Sequence, residues 1–273
     1  MFQYAYALAL SNQGYDVKIC ANSFDTYKLH EYNLEYYNIN LKTISKDDAS
    51  NICKNNILKK IAKKLGFSFK GEIIEKEFSY DESILHPKDN NCIYGYFQSE
   101  KYFLKVREAL LGEFTLKNNI SKYGEMVKDK VNNSSHSCSV HIRRGDYLTN
   151  SAANKIHGVL DLNYYKKAIK LLEEKQGNIQ YFIFSDDVQW ARKSLNIENS
   201  FYVDGPEKRI PNEDIYLMSL CNYNITANST FSWWGAWLNN YNNKVVISPK
   251  QWFSQKNIND RVNYIIPPNW IRI

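Results

Sequence analysis

Strand and helix patterns alternate through the chain beyond residue 137, and that alternation constrains the fold more than any other feature. Strand patterns at Cys138–Ile142, Gln180–Phe184, Tyr223–Thr226 and Lys244–Ile247 are separated by helical patterns at Asn163–Lys175, Val188–Leu195, Asn212–Leu220 and Phe231–Leu238, with a short strand at Phe201–Val203 between. Elements that take turns in this way predict an α/β fold with a parallel sheet covered by helices. In such a sheet ligands sit at the carboxyl ends of the strands, so the loops leaving those ends are the ones to examine for chemistry.

The first half is less regular. Residues 2 to 13 read as a helix closed by Gly14, and Tyr15–Ala21 as a strand after it. A strand and a phosphate-facing turn normally precede the first helix of an α/β domain, so the chain is expected to begin inside a βαβ unit, without its N-terminal strand. Ile57, Leu58, Ile61, Ala62 and Leu65 recur at helical spacing with Lys59, Lys60, Lys63 and Lys64 on the other face. That amphipathic pattern fits either an ordinary surface helix or one lying peripherally on an anionic membrane surface. The run from Ile93 to Phe103 starts as a strand and enters a helix at Ser99. The polar stretch Lys117 to Ser137 reads as the helix and linker joining two domains, 1–136 and 137–273.

Composition narrows the class of ligand. A length of 273 residues, 44% hydrophobic and 23% charged, is that of a folded protein with two domains or one large one. The net charge of +6 is modest and spread along the sequence, which suits an anionic small molecule better than a nucleic-acid track. Cys20, Cys53, Cys92, Cys138 and Cys221 are odd in number, scattered, and free of any Cys-x-x-Cys pair, which argues for a reducing compartment and against a zinc ribbon. No stretch reads as a signal peptide or as about 18 uninterrupted apolar residues, so a cytoplasmic location is expected.

Three strand-end loops carry the chemistry. The first follows Ser139-Val140-His141-Ile142-Arg143-Arg144-Gly145-Asp146-Tyr147, where Val140 and Ile142 share one strand face and His141 and Arg143 the other. Adjacent arginines at a strand end suit a diphosphate, because guanidinium forks pair with phosphate oxygens bidentately and cannot lose their charge. A surface ion pair with Asp146 is the competing reading. The second loop is Phe184-Ser185-Asp186-Asp187, where a carboxylate can accept the paired N–H groups of guanine or simply cap the next helix. The third is Ala227-Asn228-Ser229-Thr230-Phe231-Ser232-Trp233-Trp234, whose helix start and hydroxyls form an anion site or a cap. Trp233, Trp234 and Trp237 fall on one helical turn and read as core or wall residues, with sugar stacking as the alternative. Together the loops describe a nucleotide-diphosphate site. Neither a Gly-x-x-x-x-Gly-Lys nor a Gly-x-Gly-x-x-Gly loop occurs, which argues against a P-loop NTPase or a dinucleotide oxidoreductase.

Five segments in order along the chain resemble the bacterial α-1,2-fucosyltransferases of glycosyltransferase family 11. They are Met1-Phe2-Gln3-Tyr4-Ala5, Gly95-Tyr96-Phe97-Gln98-Ser99, the His141–Tyr147 motif, Phe184-Ser185-Asp186-Asp187 with Trp190, and Asn228-Ser229-Thr230-Phe231-Ser232-Trp233-Trp234. The resemblance implies a GT-B fold of two Rossmann-like domains with parallel sheets, residues 1–136 on the acceptor side and 137–273 binding the nucleotide sugar. It implies inverting transfer of fucose from GDP-fucose to a galactose-containing glycan in surface polysaccharide or lipopolysaccharide synthesis, with no metal ion or other cofactor. Arg143 and Arg144 would hold the diphosphate, His141 with Asp186 or Asp187 would read guanine, and Asn228, Ser229 and Thr230 would close on the donor. Arg144 and Asp146 are the catalytic candidates, Asp146 as the nearest general base; Gln98 and His157 are assigned to the acceptor side. Family members carry a Gly-Gly-Leu-Gly-Asn-Gln turn ahead of the Met-Phe-Gln-Tyr segment that this sequence lacks. That departure favours one alternative to transfer of fucose, a truncated, non-catalytic GDP-sugar-binding homologue; a transferase of another GDP-sugar is a separate alternative.

Overall fold

A computed structural model describes residues 1–21, 24, 31–45, 48, 71–76, 79–88, 91–145, 148, 151–205, 209–259 and 263–273. The chain divides into two compact units, Met1–Thr115 with Arg261–Pro267, and Leu116–Asp260 with Pro268–Ile273. The division falls ahead of the 136/137 boundary expected from the polar stretch. The helix in that stretch, Lys122–Asn132, belongs to the second unit, and its N-cap explains why: Ser121 donates its hydroxyl (2.7 Å) and its amide (3.0 Å) to Glu213, itself buried in that unit.

In the first unit, helix α1 (Phe2–Asn12) buries Phe2, Tyr4, Ala5, Tyr6, Ala7, Ala9 and Leu10. Burial on nearly every side explains its lack of a polar stripe. It ends as expected at a left-handed Gly14, φ 96°, a conformation that glycine adopts without steric cost. The strand expected at Tyr15–Ala21 does not form; that segment makes an isolated parallel bridge between Ile19 and Thr43. Strands β1 (Glu72–Ile74) and β2 (Cys92–Tyr94) pair in parallel. The helix expected at Ser99 begins as two 3-10 turns, Glu100–Tyr102 and Leu104–Val106, before helix α2 (Arg107–Glu113). The basic Lys59–Lys64 pattern lies outside the described residues.

The second unit holds helix α3 (Lys122–Asn132), strand β3 (Ser137–Ile142), α4 (Ser151–His157), α5 (Leu162–Gln176), β4 (Gln180–Ser185), α6 (Val188–Leu195), β5 (Ser200–Tyr202), α7 (Pro211–Leu220), β6 (Tyr223–Ile225), α8 (Thr230–Leu238), β7 (Val245–Ser248), α9 (Lys256–Asn259) and β8 (Ile271–Arg272). The sheet is parallel throughout, in the order β5-β4-β3-β6-β7-β8. This is the doubly wound Rossmann order, with strand succession reversing between β3 and β6, and a crevice opens at such a reversal. All six residues of β3 are buried. Cys138, Val140 and Ile142 pack with Tyr165, Ala168 and Leu172 of α5, and truncating Leu172 to alanine would cost about 2–5 kcal/mol.

Trp233, Trp234 and Trp237 of α8 are buried at 2% exposure or less. Trp233 lies 6.0 Å from Trp237 and 5.7 Å from Trp270, ring centre to ring centre. They are core residues of this unit. Among the described cysteines, Cys20, Cys138 and Cys221 are free and Cys92 is disulfide-bonded.

Candidate functional site

The register of the sheet assembles the site. His141 and Ile142 of β3 stand opposite Phe184 and Ser185 of β4, and Val140 opposite Ile225 of β6. The residues next in sequence, Arg143-Arg144, Asp186-Asp187 and Thr226 to Thr230, therefore leave the same end of one sheet around its reversal point. All three loops chosen from the sequence meet there.

The arginine turn is fixed by a carboxylate. Asp186 accepts the backbone N–H of Arg144 (2.9 Å) and of Gly145 (3.0 Å), one on each oxygen, and lies 3.3 Å from Nη1 of Arg143. A Cβ at Gly145 would stand 3.3 Å from Asp186 Oδ2, tighter than an ordinary contact, so the turn passes as close to the carboxylate as glycine comfortably allows. Asp187 caps α6 by accepting the N–H of Trp190 (3.1 Å), and its Oδ2 lies 3.6 Å from Nε of Arg144. The Arg144 guanidinium rests over the Trp190 ring, Cζ 4.2 Å from the ring centre. Its Nε is buried without a hydrogen-bond partner.

His141 is 4% exposed, its Nδ1 has no hydrogen-bond partner, and its ring lies 5.4 Å from that of Phe231 in α8. Burial first, and the Arg143 charge second, push its pKa down to about 3, so the imidazole is neutral at any working pH. A buried ring nitrogen with no protein partner is suited to a ligand's polar edge.

Ser229 caps α8, accepting the Phe231 N–H at 3.3 Å, and Ser232 braces the turn by accepting from the Ala227 N–H (3.2 Å) and donating to the Ser229 carbonyl (3.3 Å). The capping reading thus holds for Ser229, with Thr230 as the first helical residue. Asn228 braces the loop. Its amide donates to the carbonyls of His157 (2.8 Å), Gly158 (3.3 Å) and Trp252 (3.2 Å), tying the β6 loop to the end of α4. His157 packs its ring 5.2 Å from Phe253 and so stands in the second unit, beside the β6 loop. Tyr164 of α5 donates to the carbonyls of Thr226 (2.6 Å) and Ile247 (3.3 Å), fixing two strand ends, a role without a sequence signal.

Gln98 lies in the first unit, half-buried, in a loop built around Glu75. The Glu75 carboxylate accepts the N–H groups of Tyr96 (2.7 Å) and Phe97 (2.9 Å), and Phe97 has a left-handed backbone, φ 52°. Asp146 lies outside the described residues. Among the described residues no cluster of three or more His, Cys, Asp or Glu side chains is arranged for a metal ion, and no helix is long and apolar enough to cross a membrane.

Comparison with known proteins sets this geometry among relatives. A family model described as glycosyl transferase family 11 matches residues 1–273. An O-antigen biosynthesis glycosyltransferase WbnK of Escherichia coli is 41% identical over 177 residues, 63% of this chain and 59% of the relative. An alpha-1,2-colitosyltransferase of Escherichia coli is 34% identical over 281 residues, 100% of this chain and 94% of the relative. A galactoside 2-alpha-L-fucosyltransferase Sec1 of Mus musculus is 30% identical over 53% of this chain and 41% of its own length. The chain thus spans less than two thirds of two of these relatives. Among solved structures, fucosyltransferase NodZ from Bradyrhizobium superposes with a TM-score of 0.51 at 14% identity, covering 86% of this chain and 87% of that one; the likeness is one of fold, the GT-B-like α/β architecture.

Proposed function

The chain belongs to glycosyl transferase family 11, and from that premise we propose that it is an inverting transferase that moves L-fucose from GDP-fucose to a galactose-containing glycan. One observation carries the reading: two guanidiniums at the reversal point of a Rossmann sheet, with Arg144 held by a ring face and an ion pair. When an acceptor hydroxyl attacks the sugar C1, negative charge grows on the departing diphosphate. Preorganised arginines stabilise that charge where other transferases use a metal ion, and removing one such donor costs roughly 10²–10³ in rate.

The neutral, buried His141 supplies one polar partner for guanine, with Phe231 beside it. Asp186 or Asp187 supplies the second; each carboxylate oxygen accepts more than one hydrogen bond, so the contacts already made leave room for a base edge. Asn228 acts on the donor through the loop that it fastens, and Ser229 and Thr230 close the anion side. Asp146 is the proposed general base, and Gln98 and His157 the acceptor-side groups. The two units, Met1–Thr115 with Arg261–Pro267 and Leu116–Asp260 with Pro268–Ile273, are proposed to divide acceptor and donor between them. Cytoplasmic work on surface polysaccharide, peripheral to the inner membrane, is in keeping with the O-antigen relative.

A second reading is favoured by the relative matched over 100% of this chain, whose name specifies transfer of colitose: the donor is then another GDP-sugar. Release of GDP is measured with GDP-fucose and competing GDP-sugars against a panel of β-galactosyl acceptors in chelator. GDP-fucose turnover that survives chelation is the expected result. Turnover with a competing GDP-sugar alone selects the second reading, and GDP binding without turnover selects a non-catalytic homologue.

A further inference from the structure

We propose that Trp190 is a positioning residue for Arg144, a flat platform that fixes the guanidinium while leaving its N–H donors for a ligand. The inference rests on the reading that Arg144 takes the donor diphosphate. It assigns a role to a side chain that neither the motif nor the comparisons explain.

A guanidinium can be held in two ways. A carboxylate holds it through its edge and uses N–H donors; an aromatic ring holds it through its face and uses none. The two arginines of this turn show both devices. Arg143 is held at its edge, with Nη1 3.3 Å from Asp186. Arg144 lies over Trp190 at 4.2 Å, well within the roughly 6 Å limit of a cation–π contact, and Asp187 reaches only toward Nε, at 3.6 Å. That Nε is buried and makes no hydrogen bond, so the ring face and the nearby charge are what locate the group.

The platform is itself fixed. Asp187 accepts the Trp190 N–H at 3.1 Å and so anchors the first turn of α6, while Val188 and Trp190 pack against the apolar core of the sheet. Trp190 is therefore a rigid, half-buried surface set at the strand end, and a ring supplies what a donor-binding arginine needs: a fixed plane with its hydrogen-bonding edge unspent.

The test compares wild type, Trp190→Phe, Trp190→Leu, Arg144→Ala and the Trp190→Leu/Arg144→Ala double variant in the full chain. Affinities for GDP, pyrophosphate and guanosine are measured by calorimetry or competition, with thermal melting as the check on folding. Trp190→Leu is expected to weaken GDP and pyrophosphate about 10-fold and to spare guanosine, and Trp190→Phe to recover most of the loss. In the Arg144→Ala background Trp190→Leu should add nothing. If Trp190→Leu does not give folded protein, Trp190→Met carries the same comparison. Equal GDP affinity in wild type and Trp190→Leu, equal weakening by Phe and Leu, loss of guanosine together with pyrophosphate, or an undiminished effect without Arg144 would each overturn the inference. Failure of the wild-type chain to bind GDP at all would remove the diphosphate reading beneath it, and is told apart by that control.

Discussion

The two units of the molecule use the same device in different surroundings. In the second, Asp186 accepts two consecutive backbone N–H groups, those of Arg144 and Gly145; in the first, Glu75 accepts those of Tyr96 and Phe97. Asp186 has Arg143 beside it and a side chain 23% exposed. Glu75 is 8% exposed, and burial drives its pKa up against the hydrogen bonds that pull it down. One carboxylate thus orders a charged turn at the rim of a crevice, and the other holds a left-handed loop residue from within. A carboxylate clamp fixes a loop in either setting. What lies around it decides whether the cost falls on folding or on ligand binding.

Removing the group that the Asp186 clamp presents has the greatest consequence. Arg144→Ala should lower turnover roughly 10²–10³-fold with the melting temperature unchanged, measured as GDP release. Unchanged turnover would mean that the turn ordered by Asp186 serves no donor, and the contrast between the two clamps would lose its functional half.

Removing the clamps themselves should separate stability from binding. Glu75→Ala strands two N–H groups in a part-buried loop, and about 2–4 kcal/mol of unfolding free energy should be lost in a denaturant titration. Asp186→Ala exposes its two N–H groups to water and should cost about 1 kcal/mol or less, while the donor KM rises roughly 10-fold or more because the arginines are displaced. A reversed pattern, with Asp186 stabilising and Glu75 affecting the donor alone, would overturn the division.

The same contrast explains what the sequence made legible. In the second unit the helix predicted at Val188–Leu195 is the helix observed, and the strand predicted at Gln180–Phe184 extends by one residue. Parallel pairing buries both faces of a strand, so periodic apolar runs survive in the sequence and mark the strand ends where His141, Arg143, Asp186 and Ser229 converge. In the first unit Tyr15–Ala21 alternates well enough to suggest a strand yet finds a single bridging partner. Its order comes from pairs such as Glu75 with Tyr96 and Phe97, or Tyr6 stacked 4.1 Å from Phe97, which leave no period to read. Within the site, the stacking of Arg144 on Trp190 and of His141 near Phe231 joins residues on different elements, and the staple from Asn228 to three carbonyls has no period in the sequence that would announce it.

The pH dependence of stability sets the two units against each other, because a buried group in each acts with the opposite sign. His141 holds a folded pKa of about 3 against 6.5 unfolded, so between those values the unfolded state binds the extra proton and stability falls as pH is lowered. Glu75 has the reverse sign: its folded pKa is raised above 4.5, so from 4.5 upward to that raised value the folded state binds the extra proton and stability falls as pH rises. Each slope is at most about 1.4 kcal/mol per pH unit, and above pH 4.5 the two have opposite signs. Denaturant titrations across pH should therefore tilt in opposite senses, His141→Asn removing the loss on the acid side and Glu75→Gln removing the loss on the alkaline side. Tilts of the same sense would mean that one of the two groups is not held in the protonation state that its burial imposes.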